Sequence, residues 1–338
     1  MSIQHLALLI PGNYVDSDPA TGLEATLQLF SRAEALGFDS AWVRQRHLER
    51  GVSSASTFLA AATQRTRRIG LGAAVIQMGY ENPFRLAEDL ATVDVLSGGR
   101  LQVGVSTGPP PHAALLGNRL LDANAGTIDF SHRRVARLRE SLSGDFLGED
   151  AWIESPAGRQ RARLHPSAPG LGERIWYGGG SLYSAEWAGR NGFNLLIGNI
   201  SRGEKTDDFF TAQAQQLELF RASWGAERAP RVALGRVIIP TDSADASMRK
   251  RYREFAASRH ARTLAPQGER RTLFAPDLVG SADEILSALA RDPVLPLVSE
   301  LRLELPYDFR SEEYAQIIED AARLIAPPLG RTPALQAA

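Results

Sequence analysis

A run of glycines followed by two serines is the segment of this 338-residue chain whose residue types point most directly to chemistry. Gly178, Gly179 and Gly180 follow a short apolar stretch, and Ser181 and Ser184 stand three residues apart at the start of a helical pattern. Glycines let successive backbone N–H groups converge, and a helix N-terminus adds partial positive charge. The segment therefore predicts a phosphate site, while a tight turn with Ser181 as a helix N-cap is the simpler alternative.

Basic side chains end a second apolar stretch, in the segment WVRQRHLE (Trp42 to Glu49). This segment carries the guanidinium groups of Arg44 and Arg46 and the imidazole of His47. A neutral histidine at such a position could serve as an acid, a base or a hydrogen-bond donor. A structural pairing of His47 with a neighbouring carboxylate is the other interpretation of the same residue.

Small residues mark two further stretches, Leu71 to Ile76 and Val103 to Gly108, which contain the Ala73–Ala74 pair and Ser106. Small side chains would allow a flat ring system to lie against the backbone, although packing in a narrow interior also explains them. The chain has no cysteine, and its six histidines show no HxxxH or HxH spacing. The sequence therefore gives a metal site only weak support.

These segments fall at the ends of short apolar strands that alternate with helical patterns, which is typical of parallel βα units. Eight strands are predicted, at residues 3–10, 38–43, 69–76, 101–106, 174–177, 193–197, 231–239 and 300–305. The count predicts a (β/α)8 TIM barrel with an inserted loop and small β element, residues 144–173, between the fourth and fifth units. Active sites of such barrels lie at the carboxyl ends of the strands, where the candidate residues would meet. No linker divides the chain, so we expect one domain over residues 1–330 and a loosely ordered tail over residues 331–338.

The balance of charge argues against several classes of partner. Thirty-eight basic and 39 acidic residues give a formal charge of −1, too even to attract nucleic acid or an anionic membrane surface. No apolar run approaches the roughly 20 residues of a membrane-spanning helix, and the N-terminus lacks the pattern of a signal peptide. We therefore expect a cytoplasmic protein that binds neither nucleic acid nor membrane. Neither GxGxxG nor GxxxxGK[ST] is present, so a bound nicotinamide or a kinase-like use of nucleotide is not indicated.

The chain resembles the bacterial luciferase-like flavin monooxygenase family in four segments: GFDSAWVRQRH (Gly37 to His47), IGLGAAVI (Ile69 to Ile76), NPFRLAEDLATVDVLSGGRLQVGVSTG (Asn82 to Gly108) and GGGSLYSAEWAGRNGF (Gly178 to Phe193). Their order and spacing match the family. The third segment, which joins a helix to a GxS strand end, is the most specific. The resemblance extends to DAARLIAPPLG (Asp320 to Gly330) and so covers essentially the whole chain.

This resemblance implies a barrel that binds reduced FMN at the carboxyl ends of its strands and activates dioxygen through a flavin C4a-hydroperoxide. It implies that the FMN phosphate lies at the glycine-serine turn. The isoalloxazine would lie against the small residues, where a non-proline cis peptide can join Ala73 and Ala74. The cofactor-binding residues that the resemblance assigns are Ala73, Ala74, Ser106, Gly179, Gly180, Ser181, Tyr183 and Ser184.

The chain departs from the family pattern at two positions. Luciferases carry Glu-His-His after the second strand, where this chain has Gln45, Arg46 and His47, so Arg46 replaces the histidine with the catalytic role. Arg46 could instead hold the flavin hydroperoxide anion or an anionic substrate, which leaves His47 as the candidate acid or base. Thr107 stands where luciferases have a phosphate-binding arginine, which keeps a deazaflavin open as the alternative cofactor.

Together these features predict a two-component FMN monooxygenase that takes reduced flavin from a separate reductase and acts with dioxygen on a small organic substrate. The resemblance also implies a homodimer that pairs through the helices after the second and third strands. Three alternatives stay open. They are a deazaflavin-dependent hydride-transfer oxidoreductase of the same superfamily, a non-catalytic flavin-binding protein, and a lyase or isomerase that acts on a sugar phosphate.

Overall fold

Eight parallel strands close into a barrel in the computed structural model, which describes residues 3–121, 125–307 and 309–331. With strands numbered in chain order, the barrel strands are β1 (His5–Ile10), β2 (Ser40–Val43), β3 (Gly70–Gln77), β4 (Leu101–Ser106), β7 (Ile175–Gly178), β8 (Asn194–Ile197), β10 (Val232–Arg236) and β14 (Glu300–Glu304). Each pairs in parallel with the next barrel strand along the chain, and β14 pairs with β1 to close the ring. The predicted (β/α)8 barrel is confirmed.

Helices surround this barrel. In the described ranges they are α1 (Pro19–Ala35), α2 (Ala55–Arg65), α3 (Pro83–Ser97), α4 (Ala113–Leu116), α5 (Arg133–Ser141), α6 (Leu182–Arg190), α7 (Phe209–Ala222), α8 (Ala246–His260), α9 (Ala282–Ala290) and α10 (Ser311–Asp320). Their ends follow local chemistry: the Asn82 side chain caps the start of α3, and Gly98, with a φ of 70°, ends it. No helix of these ranges is long and apolar enough to cross a membrane.

Shorter strands outside the barrel, within the described residues, are β5 (Trp152–Ser155), β6 (Gly158–Arg161), β9 (Ile200–Arg202), β11 (Ile238–Pro240), β12 (Thr272–Phe274) and β13 (Leu278–Gly280). The antiparallel β5–β6 hairpin is the small β element predicted within residues 144–173. The predicted seventh strand, 231–239, is too long, because the barrel strand ends at Arg236 and the next residues form β11, which pairs with β13. Of the predicted tail at 331–338, residues 332–338 lie outside the described residues.

Two tryptophans fill the middle of the barrel lumen. Trp42 and Trp176 lie edge to face with ring centroids 5.8 Å apart, and each pairs in register with a glycine, Gly72 and Gly104 respectively. A Cβ atom at Gly72 would overlap the Trp42 indole, and one at Gly104 would overlap the carbonyl oxygen of Ala73. Close packing of the lumen therefore requires glycine at both positions, directly beneath the barrel mouth.

The variant Gly104→Ala tests this packing. Its methyl group would overlap the Ala73 carbonyl oxygen and lie 2.8 Å from Leu196 Cδ1, so we expect the free energy of unfolding in urea to fall by about 1–3 kcal/mol. Gly172→Ala is the matched control, because the atom nearest to its new methyl group, Arg139 Cγ, is 3.4 Å away. Equal free energies of unfolding for the two variants would contradict the packing argument.

Candidate functional site

The residues that the sequence predicts for the site lie at one end of the barrel, on four adjacent strands. The strands β2, β3, β4 and β7 are consecutive around the ring. Arg46 and His47 follow β2, Ala74 lies within β3, Ser106 ends β4, and Ser181 follows β7. Because the strands run parallel, their carboxyl ends surround a common mouth. In the parts of the chain that the structure describes, no three histidine, aspartate or glutamate side chains are grouped so that they could hold a metal.

The glycine-serine turn forms the N-terminus of α6. Ser181 is the N-cap: its Oγ accepts a hydrogen bond from the Ser184 amide at 3.1 Å and donates to Ser184 Oγ at 2.9 Å. The simpler alternative, a capped turn, is thus present in the structure. Among the described residues, the amides of Gly179, Gly180 and Ser181 donate no hydrogen bond. The glycine segment therefore still offers N–H groups to an anion.

A carboxylate lies beside the same turn. Glu204, which follows β9, accepts a hydrogen bond from the Leu182 amide at 2.6 Å through Oε2. The Leu182 amide, in the first turn of α6, is therefore already hydrogen-bonded within the protein. The negative charge of Glu204 would also repel a phosphate placed beside this amide. The sequence gives no signal for this contact, because the two residues are 22 positions apart and no local pattern links them. An anion at the turn is directed to the glycine amides and away from Leu182.

Tyr177 connects the turn to two neighbouring elements. Its hydroxyl lies 2.8 Å from Thr107 Oγ1 and 2.9 Å from His132 Nε2, and the His132 ring packs on Trp187 with centroids 4.5 Å apart. Burial lowers the pKa of His132 and raises the pKa of Tyr177, so both are neutral at pH 7. Thr107 thus bonds to a neutral phenol and supplies no positive charge. Tyr183, of the predicted cofactor set, is exposed, and its ring meets His132 edge-on at 5.2 Å.

The two alanines of β3 face opposite sides of the barrel wall. Ala74 belongs to the buried cluster of the lumen, whereas Ala73 packs in the core between barrel and helices, because alternate residues of a strand point to opposite faces. A ring in the mouth can therefore meet the Ala74 side chain, but only the backbone of Ala73. The predicted position of the cis peptide is wrong by one residue: the non-proline cis bond joins Ala74 and Val75. It falls where the β3–β4 register shifts, between Ala73 and Ile76.

Among the described residues, His47 is hydrogen-bonded to a side-chain amide and not to a carboxylate. Gln45 Oε1 accepts a hydrogen bond from the Ala55 amide at 2.9 Å, which orients the side chain so that its Nε2 donates to His47 Nε2, also at 2.9 Å. The neutral imidazole therefore carries its proton on Nδ1, and burial lowers its pKa. The ring stacks on Tyr80 with centroids 3.8 Å apart. His47 can donate from Nδ1, and it can accept a proton at Nε2 only by displacing Gln45.

Arg46 has different neighbours from His47. Its Nη2 and Nε donate to the Tyr307 hydroxyl at 2.7 and 3.3 Å, and its guanidinium lies 3.9 Å from Glu49. Arg46 also lines a cavity of about 700 Å³ beside the ends of β1 and β2. The two predicted catalytic residues are therefore adjacent in sequence but contact different neighbours.

Two charged residues of β14, Arg302 and Glu304, are not among the residues that the sequence analysis singles out. A signal for them exists, because Glu300, Arg302 and Glu304 alternate with leucines in the strand ELRLE. A period of two places three charged side chains on one face of the strand. The leucines Leu301 and Leu303 pack in the core between barrel and helices, so the charged face is the one turned to the lumen.

The lowered pKa values of His47 and His132 predict a loss of stability in mild acid. Because each pKa in the folded chain lies below the unfolded value of about 6.5, the unfolded chain binds protons first, and stability falls as the pH drops below 7. We expect a lower free energy of unfolding in urea at pH 5.5 than at pH 7.5. The double variant His47→Gln, His132→Gln should show a smaller difference between the two pH values. NMR titration of the two imidazoles measures their pKa values directly. Values that are no lower in the folded chain than in urea would disprove the assignment.

Residues 5–291 match the luciferase-like monooxygenase family. The 4-hydroxyprotoasukamycin monooxygenase of Streptomyces nodosus subsp. asukaensis is 29% identical over 310 residues, which cover 84% of this chain and 80% of that protein. Limonene 1,2-monooxygenase of Rhodococcus erythropolis is 32% identical over 188 residues, 52% of this chain and 48% of that protein. An F420-dependent glucose-6-phosphate dehydrogenase of Intrasporangium calvum is 30% identical over 177 residues, 49% of this chain and 51% of that protein. The chain thus spans about half the length of the last two relatives.

Solved structures share the architecture over nearly the whole chain. A monooxygenase from Streptomyces bottropensis has a TM-score of 0.70 and 21% identity, with 96% of this chain and 99% of that chain covered. The oxygenating constituent of 3,6-diketocamphane monooxygenase from Pseudomonas putida, solved with FMN, has a TM-score of 0.67 and 14% identity, with 97% and 99% covered. At these identities the likeness shows the fold alone.

Proposed function

This chain belongs to the luciferase-like monooxygenase family, and from that premise we propose that it uses reduced FMN and dioxygen to oxygenate a small organic substrate. Reduced flavin supplies two electrons, so that one atom of dioxygen enters the product and the other leaves as water. The observation that carries the proposal is the turn after β7, where, among the described residues, the amides of Gly179, Gly180 and Ser181 donate no hydrogen bond. We assign the FMN phosphate to these amides and to the hydroxyls of Ser181 and Ser184.

The flavin ring, in this proposal, lies over the small residues of the mouth. Ala74 lines the lumen and Ser106 ends the neighbouring strand, and both side chains are short enough for a planar ring to approach the backbone. Trp176 beneath them is fully buried, which keeps water from the floor of the site. His47 would hold or move a proton through its imidazole, and Arg46 would hold an anionic group.

Deazaflavin-dependent hydride transfer is the second candidate, and the charges near the turn favour it. Thr107 brings no positive charge, and Glu204 brings a negative one to the Leu182 amide. A phosphate monoester such as that of FMN carries close to two negative charges at pH 7, whereas the phosphodiester of a deazaflavin carries one. At the position of the phosphate, repulsion by Glu204 therefore opposes a monoester more than a diester such as that of F420, the cofactor in the name of the Intrasporangium calvum relative.

We also propose how the chain is organised and supplied. Residues 1–330 would act as one domain, and a separate reductase would supply the reduced flavin, as the family resemblance implies. A homodimer would pair through α2 and α3. The exposed apolar side chains of Val95 and Leu96 on α3 are compatible with such a contact.

Ser181→Asp tests the position of the phosphate. Aspartate is as good a helix N-cap as serine, so the turn should be kept, while the new charge would repel the phosphate. By anaerobic calorimetric titration we expect FMN affinity to fall roughly tenfold or more, and the affinity for riboflavin, which lacks the phosphate, to change less than about twofold. Ser181→Asn, a neutral N-cap, is the matched control. Unchanged FMN affinity in Ser181→Asp would show that the phosphate binds elsewhere.

Glu204→Gln removes the competing charge and keeps an acceptor for the Leu182 amide. We expect FMN to bind roughly two- to fivefold more tightly, because an exposed charge at this range has a modest effect, and riboflavin to bind as before. Glu186→Gln controls for net charge, because Glu186 is an acidic residue of α6 that pairs with Arg190. An FMN affinity that does not rise, or that rises equally in the control, would place the phosphate away from Glu204.

A further inference from the structure

Three guanidinium groups and one carboxylate form a cluster at the mouth, between β2 and β14. Arg44 Nη2 lies 2.9 Å from Glu304 Oε2, and Arg302 Nη2 lies 3.6 Å from Glu304 Oε1. The third guanidinium belongs to Arg46. The Tyr307 ring lies against both Arg44 and Arg46, because its centroid is 5.1 Å from Arg44 Cζ and 5.5 Å from Arg46 Cζ. These five residues, which we call the arginine cluster, run from the buried lumen to the cavity that Arg46 lines.

Within the arginine cluster, Arg44 and Arg302 carry two positive charges, and both contact the same carboxylate, that of Glu304. Arg302 is only 4% exposed, and in the described part of the chain its Nε and Nη1 have no hydrogen-bond partner, and neither has Arg44 Nε. Glu304 is shared by these two arginines, and Glu300, two residues before Arg302, is bound by Arg231 at 2.7 and 3.1 Å. A buried charge with unfilled hydrogen-bond sites is unfavourable unless another group balances it. The lumen therefore favours an anion at the mouth.

Arg46 extends this positive charge to the cavity. Its guanidinium donates to the Tyr307 hydroxyl, and among the described residues its carboxylate contact is Glu49, which is exposed and 3.9 Å away. The cavity, of about 700 Å³, is large enough for a small organic ligand, and Tyr14 and Tyr307 line it beside Arg46. A guanidinium can bind a carboxylate through two parallel hydrogen bonds, and phenol rings pack on a flat apolar body.

We propose that this cavity binds the carboxylate of an acidic organic substrate, with Arg46 as the direct ligand and the surplus positive charge of Arg44 and Arg302 adding to the attraction. The inference rests on the proposed function, because it names the substrate class for the same barrel mouth. Its basis is the position of Arg46 beside a solvent-open cavity and near two arginines, the buried Arg302 and the partly buried Arg44, that share one carboxylate. Reduced flavin is the other source of an anionic oxygen at the mouth, and a binding test without flavin separates the two.

Benzoate and benzamide are suitable probes, because they have the same shape and differ in charge. We expect the flavin-free, full-length protein to bind benzoate roughly tenfold or more tightly than benzamide in calorimetric titrations. Arg46→Gln should weaken benzoate binding roughly tenfold and leave benzamide unchanged. Arg50→Gln, at the rim of the same cavity, should change either affinity less than about twofold, because Arg50 is exposed and pairs with Asp16 at 3.3 Å.

Tyr307→Phe is a second variant that keeps the ring and removes the hydroxyl that positions Arg46, and we expect it to weaken benzoate binding roughly threefold. Equal affinities for the two probes, or unchanged benzoate binding in Arg46→Gln, would overturn the proposal. If Arg46→Gln spares benzoate and weakens reduced FMN, the anionic oxygen belongs to the flavin, and the proposal also fails. If the protein binds benzoate selectively but binds no flavin, the proposed function is refuted. The proposed carboxylate site beside Arg46 would still be supported.

Discussion

Closure of the parallel barrel through the pairing of β1 with β14 is the constraint on which the rest of the site depends. The register from His5–Glu300 to Leu9–Glu304 joins the beginning of the barrel to its end. Because all barrel strands are parallel, closure gathers every carboxyl end at one mouth, and it brings Arg44 to Glu304 across 260 residues of sequence. Without it, the turn after β7 and the arginine cluster would be unrelated surface features.

Local patterns predicted the elements, because strand and helix periodicity is a property of neighbouring residues. The barrel strands lie within three residues of their predicted bounds, and the turn at Ser181 begins a helix as expected. Strand alternation alone could have shown that Ala73 faces the helices. The contact of Glu204 with Leu182 and the meeting of Arg302 with Glu304 and Arg44 could not be predicted in the same way, because the barrel and its loops create them.

Charge is distributed unevenly around the mouth. On one side, the turn offers backbone amides and hydroxyls beside the neutral Tyr177 and His132, with Glu204 as an opposing charge. On the other side, Arg44 and Arg302 share the carboxylate of Glu304, and Arg46 lies 3.9 Å from the exposed Glu49. In the proposed complex the phosphate end of the flavin occupies the first side and an acidic substrate the second. The flavin ring would then lie between the phosphate-binding turn after β7 and the substrate.

Anaerobic calorimetric titration of the flavin-free protein with reduced FMN, and with reduced F420 in parallel, distinguishes the proposed oxygenation from hydride transfer. We expect saturable binding of reduced FMN, with one site per chain and a Kd on the order of micromolar. Saturable binding of F420 alone would replace the proposed reaction by hydride transfer. The absence of saturable binding of reduced FMN up to about 1 mM would show that the protein does not use FMN.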